Sequence, residues 1–204
     1  MTVNARYTRL LGALLLAALI TNGIGSEIAE STTDSGIMRA GELIELLCSA
    51  ALVGAGAAAY VLFRERSPGM AAAHLGFRIT EAAVNMMIVL TTFTAAGLTG
   101  PLRDLLLEQR YQAQLIAIYA YAFSGVIMYL LLHRHRVVPR FLTIWGLAGV
   151  AVLLVGSLFD LFGADLDMLV YAAPLGVNEL LLALWLVFLP TRRRSQISAP
   201  AVAV

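Results

Sequence analysis

Six apolar runs, each about 20 residues long and joined by short polar connections, constrain this chain more than any other feature. A helix of that length crosses about 30 Å of hydrocarbon. The runs lie near Tyr7 to Ile24, Leu43 to Phe63, Leu75 to Phe93, Leu115 to Leu132, Phe141 to Leu161 and Met168 to Leu189. The fold they predict is an all-α integral membrane protein, one compact bundle of six transmembrane helices. Composition agrees: 60% of the 204 residues are hydrophobic and 13% are charged, whereas a soluble domain carries roughly a quarter charged residues. Arg6 and Arg9 precede an apolar core in the first run as they would in a signal peptide, but no small-x-small cleavage site follows, so the run is read as a retained span.

Arginine placement orients the bundle. Arg6 and Arg9, the turns "FRERSPGMAAAH" and "HRHRVVPR" and the tail "TRRRSQ" fall on one side of the alternating spans. The acid-rich connections "SEIAESTTDSG", "PLRDLLLEQR" and "DLFGADLD" fall on the other. By the positive-inside rule both termini are cytoplasmic. The short connections make neighbouring helices antiparallel in a single transmembrane domain over residues 1–194, with residues 195–204 expected as a disordered cytoplasmic tail.

Several functional classes have no support in the residues. All 14 basic residues are arginine, scattered and balanced by acids to a net charge of +1, so no basic tract exists for nucleic acid. The single cysteine, Cys48, leaves no disulfide framework and no cysteine-based metal cluster, and its apolar setting reads as a small buried hydrophobe. His74, His133 and His135 all fall at the expected cytoplasmic edge, without the opposed depths that would hold a haem and without an HExxH pattern. No phosphate-binding or dinucleotide fingerprint is present, so no cofactor and no metal is expected. The small residues in "LVGAGAAAY" and "GLAGVAVLLVGS" read as close helix-packing surfaces.

Polar groups inside the spans carry the functional signal, because a charge facing lipid is costly and such groups turn to a bundle interior or a cavity. In "FRITEAAVNMMIVL", Arg78, Glu81 and Asn85 follow an i, i+3, i+7 spacing and share one helical stripe. Glu81 can pair with Arg78. The same pair also fits a plainer reading, in which Arg78 snorkels to the edge and Glu81 neutralises it. Asn85, a turn further in, needs a partner on another helix, and Asn178 and Glu179 in the sixth span supply candidates. No basic residue lies within a helical turn of Glu179, and desolvation favours the neutral form of a carboxyl at its depth, which makes it an available proton donor. A permanently neutral acid in an interhelical hydrogen bond is the structural alternative.

Glu42 and Glu45 open the second span, and with Glu27, Glu30, Asp160, Asp165 and Asp167 they form an acidic rim opposed by Arg39, Arg103 and Arg110. Most of these read as solvated, ion-paired charges, with Glu45 placed deep enough to reach a cavity. Tyr119, Tyr121 and Phe123 in the fourth span and Trp145 in the fifth are candidates to shape that cavity, where ring faces would stabilise a cation formed by protonation. The candidate catalytic groups are therefore Glu179, Glu81 and Glu45. The candidate substrate-binding groups are Arg78, Asn85, Asn178, Tyr119, Tyr121, Phe123 and Trp145.

The segments "VVPRFLTIWGLAGV", "PLGVNELLLALWLVF" and "FRITEAAV" together resemble a bacterial membrane family known as domain of unknown function 4386. The resemblance runs from the first span to the sixth. It rests on Pro139, Arg140, Trp145 and Gly146, on Asn178, Glu179 and Trp185, and on Arg78 with Glu81. It implies a six-helix protein of the bacterial inner membrane with a recurrent Arg/Glu/Glu pattern, and it brings no assigned chemistry. Three functions stay open on the residues. The first is an intramembrane acid–base enzyme, a cyclase or isomerase of a polyprenyl or terpenoid chain. The second is a small proton-coupled transporter of hydrophobic compounds, and the third is a structural or regulatory membrane subunit. The partners expected are the bilayer and a lipophilic small molecule.

Overall fold

The computed structural model describes residues 3–31, 34–164 and 166–188. Among the described residues all regular structure is helical: α1 (Val3–Glu30), α2 (Ser35–Phe63), α3 (Pro68–Ala95), α4 (Pro101–Arg134), α5 (Arg140–Leu161) and α6 (Met168–Phe188). The expected tail over 195–204 lies outside the described residues, as does Asp165. Every helix coincides with one apolar run, and most extend past it. With 34 residues α4 reaches about 51 Å, well beyond the hydrocarbon thickness.

Five of the helices are long and apolar enough to cross a membrane. α3 falls short of that measure because Arg78, Glu81 and Asn85 dilute its apolar stretch. Large apolar side chains such as Leu43, Leu47, Ile116, Phe159 and Val170 cover the outer surface, as a lipid environment requires and water would penalise.

Local signals set the helix ends. The Asp34 carboxylate accepts hydrogen bonds from the Gly36 and Ile37 amides at 2.8 and 3.0 Å and so caps α2. Pro68 and Pro101 occupy first-turn positions where a missing N–H costs nothing. Pro174 lies inside α6 and leaves the helix continuous, removing only the N–H that would have met the carbonyl four residues back.

Each helix packs on its sequence neighbours, and α6 closes on α1, so the six form a ring. Small residues permit the tightest approaches. A methyl on Gly41 would come within 2.7 Å of the Ala29 amide and the Gly25 carbonyl, so α1 and α2 meet backbone to backbone there. The main core, including Leu11, Phe63, Leu131, Leu142 and Leu186, fills the end of the ring where α1 begins and continues between α5 and α6 as far as Tyr171. Closer to the middle a smaller cluster of Ala18, Cys48, Ala51, Leu52 and Ala82 leaves the axis open.

Candidate functional site

A cavity of about 280 Å³ lies on the ring axis, lined by α1 to α6. Most of its wall is aliphatic, and its polar groups come from five helices: Asn22 of α1, Glu45 of α2, Arg78, Glu81 and Asn85 of α3, Gln114 and Tyr121 of α4, and Glu179 of α6. Each set is a helical stripe. Arg110, Gln114, Ala117 and Tyr121 step by four, three and four residues, and so do Met168, Ala172, Leu175 and Glu179. A second cavity of about 500 Å³ shares Asn22, Gln114 and Met168 with the first and leads towards the end bearing the α1–α2 and α3–α4 connections.

The floor is charged. Arg78 is only 2% exposed, and its Nη1 donates to both carboxylate oxygens of Glu81 at 3.0 and 3.3 Å. Its guanidinium lies over the Tyr121 ring, 5.5 Å from the centroid. The Tyr121 hydroxyl is within hydrogen-bonding reach of Glu179, which also feels the Arg78 charge. Two carboxyls thus share one guanidinium at a site away from bulk water. Near-neutrality there requires one of the two to hold a proton.

A second charged group closes the other side. Arg110, 5% exposed, donates from Nη2 to Glu45 Oε1 at 3.1 Å and from Nε to Thr92 Oγ1 at 2.9 Å, with Glu42 Oε1 3.6 Å from Nη2. Expected as solvated rim charges, Glu42 and Arg110 are buried inside the ring, and the ion pair forms across α2 and α4. Arg110 lines the second cavity and Glu45 the first, so their pair stands between them. The spacing from Arg110 to Tyr121 carried this signal, because it repeats the stripe seen in α3. Glu45 is accordingly held in an ion pair rather than poised as a proton donor.

The remaining candidates divide by helix geometry. Residues two apart point to nearly opposite sides of a helix, so Tyr119, Tyr121 and Phe123 cannot all face inward. Tyr121 does. Phe123 is exposed and packs on Phe77, with ring centroids 5.5 Å apart, and neither Tyr119 nor half-buried Trp145 lines the cavity. The expected aromatic enclosure is therefore reduced to one ring. Asn178 also turns away from Asn85 and from the cavity, about 100° around α6 from Glu179. It is fully buried, accepting from the Tyr129 hydroxyl at 2.8 Å and donating to the Leu142 carbonyl at 3.0 Å. Asn178 thus ties α4, α5 and α6 together.

His74 is fully buried, with Nδ1 2.9 Å from the Ser124 hydroxyl and 3.1 Å from its carbonyl. Among the described residues no group of three His, Cys, Asp or Glu side chains is arranged to hold a metal ion. Cys48, buried in the small core cluster, also contributes to the cavity wall.

The family description "Domain of unknown function (DUF4386)" matches residues 8–189. The chain belongs to the DUF4386 family. No curated protein and no solved structure matches it. In this DUF4386 protein the segments that carry the resemblance do two jobs. Arg78, Glu81 and Glu179 build the cavity floor, whereas Pro139, Gly146 and Asn178 build the packing behind it. Pro139 caps α5, and a methyl on Gly146 would lie closer than 3.0 Å to the Tyr129 ring, whose hydroxyl holds Asn178. The neighbours Asn178 and Glu179 therefore serve different ends, one anchoring the helix that presents the other.

Proposed function

We propose that this protein is an intramembrane acid–base enzyme that isomerises a lipophilic substrate, a terpenoid or polyprenyl chain in the simplest case. One observation carries the reading: Glu81 and Glu179, on different helices, face one largely aliphatic cavity with a single guanidinium beside them. That charge balance supplies one neutral acid and one carboxylate, the pair a proton shift requires. Glu179, near Tyr121 and without an ion pair of its own among the described residues, is the donor, and Glu81, fixed by Arg78, is the base. A shift between two carbons suits this cavity better than cyclisation through a long-lived cation, because only Tyr121 of the four proposed aromatic residues lines it. A proton-coupled transporter would use the same carboxyls, but the six helices run without interruption, and transporter sites are typically built at broken ones.

The membrane placement that goes with this reading has six spans in a bacterial inner membrane. α3 is the sixth, since its polar stripe turns to the ring axis and its outward residues Ile79, Met86, Met87 and Leu90 are apolar. Arginine asymmetry puts both termini in the cytoplasm and the second cavity towards the opposite face.

The test is mass spectrometry of lipophilic molecules retained by the purified wild type and by Glu179→Gln. The expected result is a pair of isomers, equal in mass and different in retention, one held by each protein. The same molecule on both proteins, or none on either, refutes the reading.

A further inference from the structure

The cavity floor holds a donor that the protein itself does not use. Arg78 Nε is buried and has no hydrogen-bond partner among the described residues. Nη1 is committed to Glu81, and Glu179 is met by Tyr121. A buried guanidinium N–H left unmatched costs the full desolvation of that group, and native proteins rarely leave one without cause. Arg78 is also locked in place. Its stem packs against α2 at Gly56, where an added methyl would come within 3.0 Å of Arg78 Cβ, and its head is held by Glu81 and the Tyr121 ring. It cannot swing to another partner without losing both.

We propose that the cavity binds a lipophilic molecule through a neutral oxygen, a ketone or aldehyde carbonyl, that accepts a hydrogen bond from Arg78, with the hydrocarbon lying along Leu15, Leu19, Ile88, Ile118 and Leu153. The inference rests on the acid–base reading of the same cavity and names its substrate class. A neutral head follows from charge, since with one of Glu81 and Glu179 protonated the remaining carboxylate already balances Arg78, and an anionic head would add an unmatched negative charge. A hydrocarbon without oxygen would leave the Arg78 donor as it is.

The carbonyl also explains what the acid and base act on. A carbonyl polarised by Arg78 acidifies the C–H beside it, and in a β,γ-unsaturated ketone the Glu81 carboxylate takes that proton. The electron pair moves onto the oxygen as a dienolate held by Arg78, and Glu179 returns a proton at the γ carbon. The proton on Glu81 then passes to Glu179. The product is the conjugated ketone, with nothing oxidised or reduced and no co-reactant consumed.

The test uses the protein stripped of bound lipophilic molecules in detergent, returned to nanodiscs and offered dodecane, 2-dodecanone or dodecanoate, with retention above that of empty nanodiscs measured by mass spectrometry. The wild type is expected to retain the ketone about tenfold or more over the alkane, as a hydrogen bond to a charged donor would give. Arg78→Lys keeps a cation for Glu81 but has no Nε donor, and is expected to lose that preference. Infrared spectra of 2-dodecanone labelled with carbon-13 at the carbonyl test the wild type without any variant: the bound stretch falls below that of ketone dissolved in the same lipid. Equal retention of ketone and alkane, retention of no probe, preference for dodecanoate or an unshifted carbonyl band each overturns the proposal. Ketone binding without isomer exchange in the Glu179→Gln comparison refutes the enzyme and leaves the ligand class standing. Isomer exchange of a pure hydrocarbon does the reverse.

Discussion

Replacing Glu81 and Glu179 with glutamine, singly and together, is expected to be strongly non-additive. In Glu81→Gln the 3.0 Å charge-assisted bond from Arg78 weakens, but Glu179 lies close enough to supply the opposing charge, so the cost is about 1–2 kcal/mol. In Glu179→Gln the Arg78–Glu81 pair is untouched, and the cost is about 1 kcal/mol or less. The double variant leaves a guanidinium that is 2% exposed with no carboxylate beside it, a situation that costs about 3–5 kcal/mol beyond the lost hydrogen bonds. Independent sites would sum to about 1–3 kcal/mol, so the further cost of about 3–5 kcal/mol in the double variant is the coupling. Reversible unfolding in mixed dodecyl sulfate and mild detergent, followed by the fluorescence of Trp145 and Trp185, measures all four corners of the cycle. Additivity within about 0.5 kcal/mol would show that the two carboxyls do not share Arg78, and the charge-balance argument for an acid–base pair would go with it.

Two further perturbations probe the frame around the site. Gly146→Ala drives a methyl into the Tyr129 ring, which its bond to Asn178 prevents from moving, so a loss of about 2–4 kcal/mol is expected in the same unfolding assay; adding Tyr129→Phe should recover part of it by releasing the ring. At the α4–α5 turn, burial lowers the pKa of His135, as do Arg66 and Arg134, so the folded state favours the neutral ring, which stacks on Phe63 and lies 3.0 Å from Ser67 Oγ. Its stabilising effect is complete above the unfolded value near 6.5 and is lost as pH falls from there through the folded value; unfolding midpoints at pH 7 and pH 5 should therefore differ more for wild type than for His135→Gln.

Much of the floor was legible in the order of residues. The spacing of Arg78, Glu81 and Asn85 fixes a common stripe on any helix, and a stripe that polar has to face inward in an apolar surround. Depth counting along α6 likewise brought Glu179 to the level of that stripe. The aromatic assignments failed for a geometric reason. Tyr119 and Phe123, four apart, share one face and Tyr121 lies on the other, and neither spacing nor depth says which face a helix turns inward. The same ambiguity attached Asn178 to Asn85 instead of to Tyr129 and Leu142.

What the sequence determines by itself follows from one-dimensional physics: apolar runs of membrane length, the charge asymmetry of their connections, and the angular position of each side chain relative to its neighbours on the same helix. The tertiary structure decides the rotation of each helix about its own axis and which helices meet, because both depend on packing between segments far apart in the chain. Close contact at Gly25 and Gly41 and the Tyr129–Asn178–Leu142 lock set those rotations, and closure of α6 on α1 makes the ring. Only then do four helices place Glu45, Arg78, Glu81, Tyr121 and Glu179 around one cavity, and bury Arg110 where a rim charge was expected.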